Sequence, residues 1–136
     1  MLRTLIIDDE AHIRETLGKL LERHCSEAVL VGKANGVKSG IEAIRRFNPD
    51  LVLLDINMAD GSGFELLRAL SPITFRVIFI SAMDKSTIRA FKLSGMEYLL
   101  KPVNPEELRE AIERVMKTQI RHFDLQLKAL EENVRE

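Results

Sequence analysis

Side chains that could carry out chemistry stand at the ends of four apolar runs of this sequence. One run ends on Asp55, a second on Asp8 and Asp9, and two later runs end on Ser81 and Lys101. If these ends meet in space, three carboxylates, a hydroxyl and an ammonium lie close together. What such a set can do depends on how the three negative charges are balanced.

Magnesium-dependent phosphoryl transfer is the chemistry that this set of side chains favours. Two unit charges about 4 Å apart repel by about 4 kcal/mol at an effective dielectric near 20. Mg²⁺ relieves that repulsion and typically binds one or two carboxylates together with phosphate oxygens and water. Lys101 offers a positive charge and Ser81 a hydroxyl donor for phosphate oxygens. We therefore predict that Asp55 accepts a phosphoryl group beside Mg²⁺.

The run Leu51–Leu54 indicates how these residues are positioned, because it lacks the polar alternation of a half-exposed strand. Such a run is typical of a strand buried on both faces of a parallel sheet. Other apolar runs alternate with stretches of helical periodicity. We predict strands at residues 2–7, 28–34, 51–55, 76–80 and 96–100, and helices at residues 11–24, 37–47, 63–70 and 84–94. A last helix begins after the N-cap residue Asn104 and continues to the end of the chain.

This order of elements predicts an α/β fold, a doubly wound five-stranded parallel sheet with helices on both faces. The carboxyl ends of parallel strands lie at one edge of the sheet, where open α/β sheets bind their ligands. The polar residues at the strand ends should therefore converge there.

Composition limits the alternatives for the class of protein. The chain has 136 residues, of which 46% are hydrophobic and 30% charged, as expected for one globular domain. Its formal net charge of −1 argues against direct binding of nucleic acid by this segment. Cys25 is the only cysteine, so an internal disulfide is excluded and a reducing cytoplasm is the simpler expectation. No apolar run reaches the roughly 18 residues that a membrane span needs.

The strand-end residues resemble the active site of the receiver domains of two-component response regulators. The residues that carry the resemblance are Asp8-Asp9, Asp55, Ser81 and Lys101-Pro102. It extends over about residues 2–117 and implies a flavodoxin-like (βα)5 fold with strand order 2-1-3-4-5. It also implies a cognate sensor histidine kinase as partner, with no enzymatic activity beyond phosphorylation and dephosphorylation of the chain itself.

The resemblance assigns a role to each site residue. Asp55 is the phosphoacceptor, and the side chains of Asp8, Asp9 and Asp55 bind Mg²⁺ with the main-chain carbonyl of Asn57. Ser81 and Lys101 contact the phosphoryl oxygens, Ser81 and Tyr98 form the switch, and the Lys101–Pro102 bond is cis. The chain departs from the family pattern at Ala59, where proline is usual, which should loosen the loop after Asp55 without removing a catalytic group.

The C-terminal tail points to an output domain. Residues 91–103 and 123–133 resemble receivers and linkers that precede LytTR-type DNA-binding domains. We expect a receiver at residues 1–117 and a helical linker at residues 118–136, leading to a DNA-binding effector that this sequence does not include. A heptad seam predicts a homodimer through a parallel coiled coil; its positions are Met116, Ile120, Phe123, Leu127, Leu130 and Val134. The alternative is a tail folded back on its own domain, which the off-seam Leu125 favours.

Other functions fit the residues less well. An aspartate-nucleophile phosphatase needs a second acid two residues after the nucleophile, and that position is Asn57. A flavin-binding electron carrier needs a loop rich in Ser, Thr and Gly after the first strand, where this chain has Asp8-Asp9-Glu10. A receiver without phosphorylation activity would not need the full acidic, Ser and Lys set. A stand-alone receiver that acts by docking to other proteins remains open.

Overall fold

The computed structural model describes residues 1–134, apart from the side chain of Arg121. Strands β1 to β7 span Leu2–Ile7, Ala28–Ala34, Leu51–Leu54, Asn57–Met58, Gly61–Ser62, Arg76–Ser81 and Tyr98–Leu100. Helices α1 to α6 span Ala11–His24, Val37–Phe47, Gly63–Leu70, Lys85–Ser94, Pro105–Met116 and Phe123–Val134. A 3₁₀ turn at Ile120–His122 precedes α6. No helix within residues 1–134 is long and apolar enough to cross a membrane.

Five strands form one parallel sheet in the order β2-β1-β3-β6-β7. Because β4 and β5 form a separate two-residue antiparallel hairpin, this order is the predicted 2-1-3-4-5 arrangement of the five main strands. The doubly wound fold is therefore confirmed. The hairpin lies between Asp55 and α3, where no strand was predicted.

Strand β3 explains why its sequence is continuously apolar. It lies between β1 and β6, and all four of its residues are buried. Val52 and Leu54 belong to one core cluster, which also holds residues of α2, α3 and α4. Leu51 and Leu53 belong to the other, with residues of α1 and α5. Burial on both faces leaves no solvent-facing position for a polar residue.

Element ends differ from the predictions at a few points. β7 begins at Tyr98, two residues later than expected, and β6 includes Ser81. β3 ends at Leu54, so Asp55 is the first residue after the strand. Asp84 is the N-cap of α4, and its side chain accepts a hydrogen bond from the backbone N–H of Thr87 at 2.8 Å. These differences leave the predicted site at the carboxyl edge.

The prediction of one helix from Asn104 to the end of the chain is wrong. α5 ends at Met116, and the side chain of Arg76 donates hydrogen bonds to carbonyl oxygens at that end of the helix. Its Nε donates to Val115 O at 2.9 Å, and its Nη2 donates to Met116 O at 3.4 Å and Thr118 O at 3.3 Å. Together with local hydrogen bonds from Thr118 to Val115 O, these contacts satisfy the carbonyl groups where α5 ends and the chain turns.

Helix α6 folds back onto its own domain and packs against α4. Phe123, Leu127 and Leu130 are buried in the core cluster on the α2–α3–α4 face of the sheet. Asp124 fixes the start of the helix, because its carboxylate accepts hydrogen bonds from Ser71 Oγ at 2.7 Å and from Ile73 N at 3.1 Å. The central positions of the predicted seam are therefore covered by the same chain, as in the fold-back alternative.

Candidate active site

The predicted site residues meet at the carboxyl edge of the sheet. Asp8 follows β1, Asp55 follows β3, Ser81 ends β6 and Lys101 follows β7. Their strands are neighbours in the order β1-β3-β6-β7, so four consecutive strand ends contribute to one cluster. Asp8, Asp55 and Ser81 are buried, which is unusual for polar side chains that lack a structural or functional partner.

The carboxylate of Asp55 is held on both oxygens and is only 4% exposed. Oδ1 accepts a hydrogen bond from Ser81 Oγ at 2.8 Å and another from the backbone N–H of Ile56 at 2.9 Å. Oδ2 accepts only a longer contact, from Lys101 Nζ at 3.4 Å. Oδ2 therefore keeps lone-pair capacity that Oδ1 has already used.

Lys101 is shared among three carboxylates. Its Nζ lies 2.8 Å from Asp8 Oδ2, 3.4 Å from Asp55 Oδ2 and 3.8 Å from Glu10 Oε1. Burial alone would lower the pKa of Lys101, but the carboxylates of Asp8 and Asp55 outweigh it and raise that pKa above its ordinary value. Lys101 therefore carries its positive charge at neutral pH.

Burial also raises the pKa of Asp55, and the neighbouring charge of Asp8 adds to the increase. The hydrogen bond from Ser81 and the charge of Lys101 act in the opposite direction without cancelling it. Burial therefore outweighs the two groups that favour the ionised carboxylate, Ser81 and Lys101.

The donor set fits a hard divalent cation. Carboxylate oxygens of Asp8, Asp9 and Glu10 lie within 4.8 Å of one another. Asp8 Oδ2 is buried and pairs with the Lys101 ammonium at 2.8 Å, and no other donor within residues 1–134 contacts it. A buried anionic oxygen that shares one ammonium with two further carboxylates suits Mg²⁺, which prefers oxygen ligands.

The other two predicted metal ligands, Asp55 and Asn57, are not among these three grouped carboxylates. The carboxylate of Asp55 binds Ser81 and Lys101, and Asn57 lies in β4 with an exposed side chain. Their roles as ligands stay predictions. Glu10, which the sequence analysis did not assign, belongs to the cluster, and its position directly after Asp8-Asp9 was the available signal.

The two predicted switch residues lie on neighbouring strands. Ser81 ends β6, and Tyr98 begins β7. The half-buried Tyr98 ring packs on Phe91 of α4 with a centroid distance of 5.4 Å, and Phe91 packs edge-on against Phe79 at 5.0 Å. This contact links β7 to α4, but the switching role stays a prediction. The predicted cis Lys101–Pro102 bond is confirmed, and Ser71–Pro72 is also cis.

A second residue that the sequence analysis missed is Asp60, at the tip of the β4–β5 hairpin. Its carboxylate accepts hydrogen bonds from the backbone N–H groups of Val37 and Lys38 at the start of α2. No local pattern could have revealed these contacts, because the partners are 23 and 22 residues away in sequence.

Residues 4–113 match the family model described as the response regulator receiver domain. Three curated relatives are similar over about the same region. An uncharacterized response regulatory protein of Vibrio cholerae is 39% identical over 118 residues, which cover 86% of this chain and 49% of the relative. The sensory transduction protein LytT of Bacillus cereus is 33% identical, with 86% and 48% covered. The transcriptional regulatory protein BtsR of Escherichia coli is 34% identical, with 85% and 48% covered.

Among solved structures, the signal receiver domain of the putative response regulator NarL from Mycobacterium tuberculosis is similar, with a TM-score of 0.72 at 27% identity. The match covers 87% of this chain and 98% of that one. The present chain spans about half the length of the curated relatives that it matches.

Proposed function

We propose, from the premise that this chain belongs to the response regulator receiver domains, that it is a signalling switch phosphorylated on Asp55. One observation carries the proposal. The buried Asp55 carboxylate lies at the meeting point of four strand ends, with the Ser81 hydroxyl on one oxygen and the Lys101 ammonium near the other. A hydroxyl and an ammonium are the groups that would contact a phosphoryl group formed there.

The proposed reaction moves a phosphoryl group from a phosphohistidine of a cognate sensor kinase to Asp55. Oδ2 of Asp55, the oxygen with free lone pairs, attacks phosphorus. The new O–P bond forms as the P–N bond breaks, and the leaving imidazole keeps the electron pair. Lys101 exchanges its contact with Oδ2 for a phosphoryl oxygen, and Ser81 donates to another. In the return reaction, water attacks phosphorus, the O–P bond breaks and inorganic phosphate is released.

Mg²⁺ is the proposed cofactor. Asp8 and Asp9 would hold it together with Asp55 and the main-chain carbonyl of Asn57, and Glu10 is an additional candidate. When bound, the ion neutralises negative charge on the transferring phosphoryl group. The buried Asp8 Oδ2 supports this assignment, because the ammonium of Lys101 that pairs with it is shared with Asp55 and Glu10. Beyond its own phosphorylation and dephosphorylation, we propose no enzymatic activity for the chain.

The switch is proposed to run from Ser81 to the surface of α4 and β7. Ser81 ends β6 and leads through residues 82–84 into α4, and Tyr98 packs on Phe91 of that helix. A shift of Ser81 towards a phosphoryl oxygen would displace this segment and change the surface that α4, β7 and α5 present. A local change at one site can alter a distant surface only through an element with two arrangements, and the segment from Ser81 to α4 is proposed as that element.

Transcription regulation through a C-terminal DNA-binding domain is the proposed output. The relative BtsR is described as a transcriptional regulatory protein, and this chain spans about half of its length. We propose a receiver over residues 1–117, since α5 ends at Met116, and a linker over residues 118–136 whose helix α6 packs back on the receiver before the further domain. DNA would be bound only by that further domain, and the site of action would be the cytoplasm.

We also propose that the phosphorylated chain forms a homodimer, although through a surface other than the tail. Phe123, Leu127 and Leu130 of α6 are covered by the same chain. The face of α4, β7 and α5 instead exposes Leu100, and α4 also exposes Leu93. That face also adjoins Tyr98, so its shape would respond to the proposed switch.

Labelling with acetyl phosphate and Mg²⁺ tests the proposed function. The native chain should gain the mass of one phosphoryl group, and Asp55→Asn should gain none. Asp50→Asn is the matched control, because the exposed Asp50 carboxylate binds only the backbone N–H of Arg3 at the opposite edge of the sheet. It should be labelled like the native chain. Equal labelling of Asp55→Asn would overturn the assignment.

A further inference from the structure

Asp60 connects the hairpin that follows Asp55 to the start of α2. Its Oδ1 accepts a hydrogen bond from Val37 N at 2.7 Å, and its Oδ2 accepts one from Lys38 N at 3.1 Å. These two bonds lower the pKa of Asp60 below its ordinary value. The N-cap residue of α2 is Gly36, which has no side chain to offer, so a distant carboxylate takes the place of the usual cap.

The carboxyl group of Asp60 occupies the space that a side chain at position 36 would fill. A Cβ atom on Gly36 would lie 2.6 Å from Asp60 Oδ1, with the other two nearest atoms also in the Asp60 carboxyl group. The backbone of Gly36 itself is extended, with φ −176°, and would tolerate any side chain. A side chain at position 36 would therefore displace the Asp60 carboxylate from its present place.

The base of the same hairpin is fixed directly at the acceptor. Gly63 N donates to Ile56 O at 2.7 Å, which closes the hairpin one residue after Asp55. A Cβ atom on Gly63 would lie 2.6 Å from the carbonyl oxygen of Asp55. Between base and tip lies Asn57, paired with Ser62 across the two strands. Movement of the tip would thus be transmitted to the main chain two residues beyond the acceptor.

The turn at the tip contains no proline ring to restrain its backbone. Ala59 and Asp60 form a two-residue turn between Met58 and Gly61, and neither adopts a positive φ. Proline is favoured at the first of these two turn positions because its ring fixes φ. This chain has alanine there. Asp60 offers a restraint of a different kind, because its hydrogen bonds hold the turn against the start of α2.

We propose that Asp60 is a positioning residue for phosphoryl transfer to Asp55, holding the β4–β5 hairpin and the Asn57 main chain in place by tying the hairpin tip to α2. This inference rests on the proposed function of Asp55. Without the tie, the hairpin would occupy its productive arrangement for a smaller fraction of the time, and both phosphorylation and Mg²⁺ binding would weaken.

A role limited to stabilising α2 is the competing explanation, and two second-site changes separate it from positioning. In Asp60→Ala, the atoms that crowd position 36 are gone, so Gly36→Ser can supply a local N-cap without touching the hairpin. Ala59→Pro does the reverse, because it stiffens the turn without capping α2.

The experiment measures three quantities on the 136-residue chain: the rate of labelling by acetyl phosphate, the Mg²⁺ concentration for half-maximal rate, and hydrogen exchange of residues 56–63 without Mg²⁺. Asp60→Ala should slow labelling about fivefold, as expected for loss of one good cap-type contact. It should also raise the Mg²⁺ requirement and speed hydrogen exchange in the hairpin. Asp60→Asn, which keeps one acceptor oxygen, should be intermediate.

The double variants decide between the explanations. Adding Ala59→Pro to Asp60→Ala should restore the native labelling rate and the native, slow hydrogen exchange of the hairpin. Adding Gly36→Ser instead should restore only the midpoint of unfolding. Asp124→Ala is the matched control, since Asp124 also accepts a hydrogen bond from a distant backbone N–H, that of Ile73. This contact lies before the start of β6, at the edge of the sheet opposite to the site. It should lose stability and keep the labelling rate.

Two results would overturn the role of Asp60 while leaving Asp55 as the acceptor: native-like labelling of Asp60→Ala, or full recovery of the labelling rate with Gly36→Ser. Failure of the native chain to accept any phosphoryl group would instead overturn the proposed function and the role of Asp60 with it.

Discussion

Ser81 donates its hydroxyl hydrogen to Oδ1 of Asp55 across 2.8 Å, and both side chains are buried. The contact joins the end of β6 to the residue that follows β3, two neighbouring strands of the sheet. A phosphoryl group on Asp55 would place new acceptor oxygens beside this hydroxyl. The same hydrogen bond donor can therefore report the state of Asp55 to the segment between β6 and α4.

Removal of the Ser81 hydroxyl should uncouple the switch without removing the metal site. In Ser81→Ala we expect Mg²⁺ affinity, measured by isothermal titration, to stay close to the native value, because Ser81 is not among the clustered carboxylates. Dimer formation induced by phosphorylation, measured by sedimentation, should weaken. Ser86→Ala is a suitable control, since that hydroxyl binds only Asp84 at the start of α4. A large loss of Mg²⁺ binding in Ser81→Ala would contradict this division of roles.

Neutralising Asp55 should stabilise the metal-free domain at neutral pH. Burial raises the pKa of Asp55 in the folded state, so ionising it there costs free energy that the unfolded chain does not bear. The penalty is absent below the ordinary pKa of aspartate and develops as pH rises through the raised value. Urea unfolding in EDTA should therefore show Asp55→Asn to be more stable than the native chain at pH 7, with the difference closing as pH falls below about 4.

Asp84 provides the opposite case for comparison. Hydrogen bonds from Thr87 lower the pKa of the Asp84 carboxyl, so its ionised form stabilises the folded state above the ordinary aspartate pKa. Asp84→Asn should therefore be less stable than the native chain at pH 7. A lower stability of Asp55→Asn at that pH would show that its ionised carboxylate is compensated by its neighbours.

The tail should contribute to the stability of the receiver itself. Leu130 of α6 is fully buried, so Leu130→Ala should lower the free energy of unfolding by about 2–5 kcal/mol. Leu125 lies on the same helix and is 72% exposed, so the matched change Leu125→Ala should alter it by no more than about 0.5 kcal/mol. Urea unfolding of both variants measures the difference. Equal, small effects would mean that α6 leaves its own domain in solution.

The sequence predicted most of the fold and the site because both depend on short-range patterns. Continuous apolar runs such as Leu51–Leu54 identify strands that are buried on two faces, and parallel connection brings their ends to one edge. Asp55, Ser81 and Lys101 could be placed together before any distance was known. The strand order and the cis Lys101–Pro102 bond came from the family resemblance.

What the sequence did not reveal depends on partners that are far apart along the chain. The seam at Phe123, Leu127 and Leu130 has the same period whether it packs on a second copy or on α4, so periodicity could not choose between them. Arg76, which contacts the end of α5, lies 39 residues before Val115 in the sequence. Asp60 likewise reaches α2 through space, and only its partners' positions show what it binds.

Identification of the labelled residue tests the central claim most directly. The native chain is treated with acetyl phosphate and Mg²⁺ and then reduced with borohydride, which converts an aspartyl phosphate into homoserine and leaves other aspartates unchanged. Peptide mass mapping should find homoserine at position 55 and aspartate at positions 8, 9 and 60. Homoserine at any of those other positions, or at none in the chain, would contradict the assignment of Asp55 as the phosphoacceptor.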